Sequence, residues 1–225
     1  MNKLYFIRHG ENTANITKEF SYKIIDYSLT EKGKLQAEQT ALVFKNIMLD
    51  EIWSSPLKRA YETASYISSV SGLHINILEE LREVNVGSLE LQKPDEKSWD
   101  LYMSVYKKWK NGELDYKFPD GESYNEMRER FKRALLTIFH EKNNKNIAII
   151  GHGGIFSSTI WNFFNNDKKK PFIIENNNCS ISEINIETSG DDVHCELIRF
   201  GDFSHLSGFA SELISGYPDF IKNKH

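Results

Sequence analysis

The chain has 225 residues, 40% hydrophobic and 27% charged, with a mean hydropathy of −0.51, which is ordinary globular usage and excludes a membrane-embedded protein. A net charge of −4 and an isoelectric point near 6.0 argue against nonspecific binding to nucleic acid or anionic membranes, so any phosphate binding has to be local. The opening Met1-Asn2-Lys3-Leu4-Tyr5-Phe6-Ile7-Arg8 has too short an apolar run for a signal peptide, and the expected location is the cytoplasm. Cys179 and Cys195 lack metal-ligand spacing and read as idle thiols.

Lys3 to Ile7 is short, β-branched and aromatic, and stops at Arg8-His9-Gly10, the pattern of a buried strand feeding a loop. A helix is predicted from about Thr30, as N-cap, with Leu35, Leu42, Val43 and Ile47 on its apolar face. A strand at Glu51 to Trp53 precedes Ser54-Ser55-Pro56, where Ser55 can cap a helix and Pro56 can begin it; Leu57, Ala60, Tyr61, Ala64 and Ile67 continue with helical spacing. His74 to Leu78 reads as a third strand, followed by the turn-like Leu81-Arg82-Glu83. From Pro94 to Asn111, Trp99, Tyr102, Met103, Tyr106 and Trp109 recur at helical spacing, and Ser123 with Glu126 forms a capping box ahead of Tyr124, Met127, Phe131, Leu135 and Ile138. Asn146 to Ile150 is a buried strand ending at Gly151-His152-Gly153-Gly154, followed by a helix over about Ile155 to Phe164. Lys168-Lys169-Lys170 reads as a solvated turn, and Ser180 to Glu187 with Val193 to Phe200 as a β-ribbon or sheet edge. The succession predicts one α/β domain over residues 1–225, a three-layer sandwich of a mostly parallel sheet with helices on both faces.

In open α/β sheets ligands collect at the carboxyl ends of the strands, and here that edge gathers Arg8, His9, Arg59, Glu83 and His152. Two arginines and two histidines together suit a phosphoryl group, because each guanidinium offers a planar fork of donors to non-bridging oxygens. Left empty, such a set repels itself. A histidine attacks phosphorus only with a neutral ring nitrogen, and neighbouring guanidiniums disfavour its protonation. Its other ring nitrogen needs a partner, for which a backbone carbonyl is the natural choice. The departing ester oxygen needs a proton, for which Glu83 is the candidate, returning as base on the water that completes hydrolysis.

These residues lie in segments that resemble the histidine phosphatase, or phosphoglycerate mutase-like, superfamily. Phe6-Ile7-Arg8-His9-Gly10-Glu11-Asn12 is similar to its R-H-G-E-[TSN] signature, and Leu29-Thr30-Glu31-Lys32-Gly33-Lys34-Leu35-Gln36-Ala37 to its L-[ST]-x-x-G-x-x-Q-A segment. Ser54 to Ala64 is similar to S-S-x-L-x-R-A-x-x-T-A, Leu81 to Gly87 to L-x-E-x-x-x-G, Pro119 to Ser123 to P-x-G-E-S, and Ile150 to Gly154 to the second-histidine motif. The resemblance implies a phosphoglycerate mutase-like fold, with His9 as phosphohistidine nucleophile, Glu83 as proton donor, and Arg8, Arg59 and His152 as holders of the phosphoryl oxygens. Asn15 occupies the place of a further phosphate ligand. It implies no metal and no organic cofactor, and a helical cap inserted at about residues 88–121. Within that cap the aromatic stripe from Trp99 to Trp109 reads first as core packing, with lining of the substrate pocket by a few rings as the open alternative.

The departures carry information. Gly87-Ser88-Leu89-Glu90-Leu91 lacks the Trp and second Gly of the phosphatase pattern G-x-W-E-G, and the chain lacks the mutase patterns E-R-H-Y-G and H-G-N, having Glu83-Val84-Asn85-Val86-Gly87 and His152-Gly153-Gly154. The reading is therefore a metal-independent phosphatase releasing phosphate from monoesters of small phosphorylated metabolites. A cofactor-dependent phosphoglycerate mutase and a catalytically inactive binding module of the same fold are the alternatives. A serine hydrolase is excluded by the lack of G-x-S-x-G. Oligomeric state is not legible.

Overall fold

The computed structural model describes residues 1–164, 176–190 and 192–222; the Lys168-Lys169-Lys170 run lies outside them. Six strands form one sheet: β1 (Asn2–Arg8), β2 (Glu51–Ser54), β3 (Ile75–Ile77), β4 (Asn146–Gly151), β5 (Ile181–Ser189) and β6 (Asp192–Asp202), in the order β3-β2-β4-β1-β5-β6. The first four strands are parallel to one another, while β5 runs antiparallel to β1 and β6 to β5. The late ribbon thus closes one edge of an otherwise parallel sheet.

Helices α1 (Thr13–Thr17), α2 (Glu31–Val43), α3 (Lys58–Ser71), α4 (Glu96–Lys110), α5 (Tyr124–Phe139), α6 (Gly153–Phe164) and α7 (Asp219–Lys222), with four short 3-10 turns between them, complete the described elements. Among the described residues no helix is long and apolar enough to cross a membrane. Alternation along the central strands divides the core between two faces. Leu4 and Phe6 of β1 and Ile147 and Ile149 of β4 pack with Phe131 and Leu135 of α5 and Phe156 of α6. Tyr5 and Ile7, with Ala148 and Ile150, pack with Ala60, Ala64 and Ile67 of α3 and Ala41 of α2. Burying each large aliphatic side chain contributes about 1.5–3 kcal/mol, which makes the two central strands the rigid base on which the site stands.

Two sequence expectations change. Helix α2 does have Thr30 as its N-cap, accepting from the Gly33 amide at 3.0 Å, but Leu35 and Leu42 lie exposed. Its buried face is Lys32, Gly33, Gln36, Ala37, Thr40 and Ala41. Small residues win here because the helix must approach the loop after β1 to backbone contact: a Cβ on Gly33 would lie 2.0 Å from the Glu11 carbonyl oxygen, and one on Gly10 would lie 2.5 Å from the Gly33 oxygen. Helix α3 begins at Lys58 with Leu57 as its N-cap, so Pro56 precedes the helix. The Ser55 hydroxyl accepts the Leu57 amide at 3.3 Å and also meets a distant histidine, as described below.

The close contact yields a stability prediction. Gly33→Ala forces α2 off the His9 loop and should destabilise the protein by about 2 kcal/mol or more, read as a lowered urea midpoint at unchanged m-value.

Candidate active site

The register brings Arg8 of β1 opposite Gly151 of β4, and Ser54 of β2 opposite Ile150. Three parallel strands therefore end together, and the loops leaving them carry His9, Ser55 and His152. A cleft of about 180 Å³ opens at this edge, lined by Arg8, His9, Asn15, Arg59 and Glu83 among others. All five sequence-predicted residues of the charge cluster meet here, with His152 fully buried beneath the cleft.

His9 is buried, 3% exposed, and its Nδ1 lies 2.7 Å from the Gly10 carbonyl oxygen. A carbonyl only accepts, so Nδ1 carries the proton and Nε2 is left with a lone pair. The Arg59 Nε–H donates to that Nε2 at 3.1 Å, which is consistent with the same tautomer. Burial, then the charges of Arg59 and Arg8, hold the ring's pKa well below its ordinary 6.5 against the opposing pull of the Gly10 carbonyl. The imidazole is neutral and oriented, with the lone pair of its Nε2 turned toward Arg59.

His152 is likewise pushed well below 6.5, by burial and then by Arg59. Its ring centroid lies 5.2 Å from that of His9, and its Nε2 meets the Ser55 hydroxyl at 2.7 Å. Arg59 is itself buried, 2% exposed; desolvation pushes it down to about 10, opposed chiefly by Glu83 and Asp26, so it stays cationic at neutral pH. Arg8 donates through Nη1 to the Asn176 carbonyl.

Glu83 accepts three backbone amides: Val84 at 2.9 Å, Gly154 at 3.0 Å and Ile155 at 2.7 Å. The last two belong to the first turn of α6, whose free N–H groups and dipole attract a carboxylate. A Cβ on Gly154 would stand 2.7 Å from Glu83 Oε1, so this glycine makes room for the acid. The turn carrying Glu83 is gripped from behind by Arg130 of α5, which donates to the carbonyls of Glu80, Arg82 and Glu83 and forms a forked pair with Glu122. Asn15 lines the cleft with its side-chain oxygen engaged by the Asn12 amide and by Asn178, at 3.1 Å each.

Several residues that matter to this geometry escaped the sequence reading. The Asn178 side chain donates to the His9 carbonyl at 3.0 Å, and the Cys179 amide to the Arg8 carbonyl at 3.0 Å; Cys179 is buried, its thiol pushed up to about 12 by burial, in keeping with an idle role. Ser21 accepts twice from Arg59, through its hydroxyl and its carbonyl, at 2.8 Å each. The loop after Ser21 is pinned by Glu90, whose Oε1 accepts the amides of Tyr22, Lys23, Ile24 and Ile25 at 2.6–3.1 Å. Glu90 is the glutamate of the Gly87-to-Leu91 segment that otherwise departs from the phosphatase pattern, and that surviving residue was the available signal. Glu90→Ala frees the loop that aims Arg59 and should weaken inorganic phosphate binding about tenfold, measured calorimetrically. Glu90→Gln keeps the acceptor oxygen and should stay within about threefold of the parent.

Comparison with known proteins agrees with this geometry. The family model described as the histidine phosphatase superfamily, branch 1, matches residues 4–197. A protein named "Probable phosphoglycerate mutase GpmB" from Erwinia tasmaniensis is 31% identical over 216 residues, covering 87% of this chain and 96% of that one. Among solved structures, a phosphoserine phosphatase mutant from Entamoeba histolytica in complex with phosphoserine is 26% identical with a TM-score of 0.70, covering 92% of this chain and 100% of that one. An α-ribazole phosphatase from Shigella flexneri shares the fold at 23% identity and a TM-score of 0.72, covering 89% and 96%. With a family match spanning residues 4–197, this chain belongs to the histidine phosphatase superfamily.

Proposed function

We propose that the protein is a phosphomonoesterase that releases phosphate from small metabolites through a phosphohistidine on His9. The observation that carries this reading is the Nδ1-protonated, neutral His9 facing two guanidiniums at the end of β1. When a phosphate ester enters, Arg59 exchanges its hydrogen bond to Nε2 for one to a phosphoryl oxygen, and Arg8 supplies a second cationic fork. The Nε2 lone pair attacks phosphorus, the bond from phosphorus to the ester oxygen breaks, and that oxygen takes a proton from Glu83. Water then attacks the phosphohistidine, losing a proton to the Glu83 carboxylate; phosphate leaves and His9 returns neutral. His152 and Asn15 are read as further ligands of the phosphoryl oxygens, and residues 88–121 as the cap over the cleft.

The relative named as a phosphoglycerate mutase supports a second reading, transfer of phosphate between positions of one substrate. The absence of E-R-H-Y-G and H-G-N favours hydrolysis. The two separate in one assay: a mutase converts phosphoglycerate on addition of a bisphosphorylated glycerate without liberating inorganic phosphate.

The deciding experiment is phosphate release from sugar phosphates, phosphoglycerates, nucleotides and an aryl phosphate, run beside His9→Ala. Release by the parent and its loss in the variant is expected; equal activity of the two overturns the nucleophile assignment. Because the His9 pKa is depressed, its attacking form persists as the pH falls below 6.5. The pH profile of phosphoenzyme formation in a rapid-quench burst should accordingly keep its acid limb below that value. Glu83→Gln should slow alkyl phosphates by on the order of 10²–10⁴-fold while sparing aryl phosphates, whose leaving groups need no proton; equal loss on both would remove its role as acid.

A further inference from the structure

Beyond the charged end, the cleft is walled by rings. Phe20, Trp99, Tyr102, Tyr106 and Tyr217 all line it, in a continuous cluster with centroid separations of 4.7–6.0 Å. On α4, Trp109 is fully buried against Phe118 and Tyr124, Trp99 and Tyr106 are buried with only their edges lining the cleft, and Tyr102 is half-buried there.

The polar atoms of the α4 rings in this wall are turned to protein partners. The Trp99 indole N–H donates to the Lys18 carbonyl at 3.1 Å. The Tyr102 and Tyr106 hydroxyls bond one another, and Tyr106 also bonds Ser158. The rings left partly open to a ligand are the half-buried Tyr102 and Tyr217, backed by the buried Phe20, Trp99 and Tyr106. Glu19 also lines the cleft, its carboxylate held by the Thr17 and Tyr27 hydroxyls, and it repels a second anion on the substrate. An oxyanion-bearing alcohol such as a hydroxy acid gains nothing from rings and is opposed by Glu19, whereas a flat uncharged ring can stack.

We propose that the substrate is a phosphate monoester whose alcohol carries a planar, uncharged aromatic ring, seated on the wall formed by Phe20, Trp99, Tyr102, Tyr106 and Tyr217. This deepens the phosphomonoesterase reading and rests on it for turnover, but not for binding.

The test uses alkyl phosphates of similar leaving-group strength, so that chemistry does not masquerade as recognition. Benzyl phosphate and purine and pyrimidine nucleoside 5′-monophosphates are compared with phosphoserine, 3-phosphoglycerate and glycerol phosphate. The ring-bearing esters should exceed the others in kcat/KM by at least about tenfold, about 1.4 kcal/mol. Benzyl phosphate against the nucleotides separates a single-ring pocket from one built for a base. Calorimetric binding of benzylphosphonate, which cannot be hydrolysed, against 2-amino-3-phosphonopropionate gives the same comparison without catalysis. Tyr102→Leu and, at the half-buried rim, Tyr217→Leu should each lose most of the ring preference while inorganic phosphate binds as in the parent. Phosphate release without ring preference, or tighter binding of the carboxylate-bearing phosphonate, overturns this proposal and leaves the phosphatase standing. Benzylphosphonate preference without release from any ester upholds the ring site and overturns the phosphatase.

Discussion

The bond from His9 Nδ1–H to the Gly10 carbonyl is the interaction on which the rest of the site depends. It places the proton on one side of the ring and leaves the lone pair on the other, among guanidiniums that make protonation costly. A buried arginine beside a buried histidine would be unfavourable without acceptors, and the fold supplies them as carbonyls: Ser21 for Arg59 and Asn176 for Arg8. On the proposed function, a phosphoryl group completes this arrangement by offering charge where the carbonyls offer only dipoles.

Much of the surrounding sequence serves to hold that one geometry. The Gly10 amide donates to Thr63 and the Glu11 amide to Gln36, at 3.0 and 2.9 Å. Glu11 pairs with Lys32 at 2.7 Å in a nearly buried ion pair. Residues of the Leu29-to-Ala37 segment that look like a signature of chemistry thus act as clamps on the backbone that follows His9. Glu122 and Arg130 do the same for the turn bearing Glu83. Removing one partner of either buried pair would strand a charge, which costs far more than the net worth of the pair.

The local elements were legible wherever periodicity or capping chemistry determines them without help from distant parts. The α5 capping box, the β1 and β4 runs and the late ribbon stand as read. The apolar face of α2 was not, because hydrophobic spacing favours the large residues, while close approach to the Glu11 backbone demanded the small ones. Ser55 reads as a cap in the sequence, yet its hydroxyl lies 2.7 Å from a histidine 97 residues away.

From its sequence alone the chain determines its class, the order of its strands and helices and the identity of its charged residues, since each rests on neighbours in the chain or on a short motif. Tertiary structure alone decided how those charges are used. The seating of Glu83 on the first turn of α6, the Glu90 clamp on the loop after Ser21 and the ring wall of the cleft all join segments tens of residues apart. Such contacts depend on angles and separations across the sheet, and no local spacing encodes them.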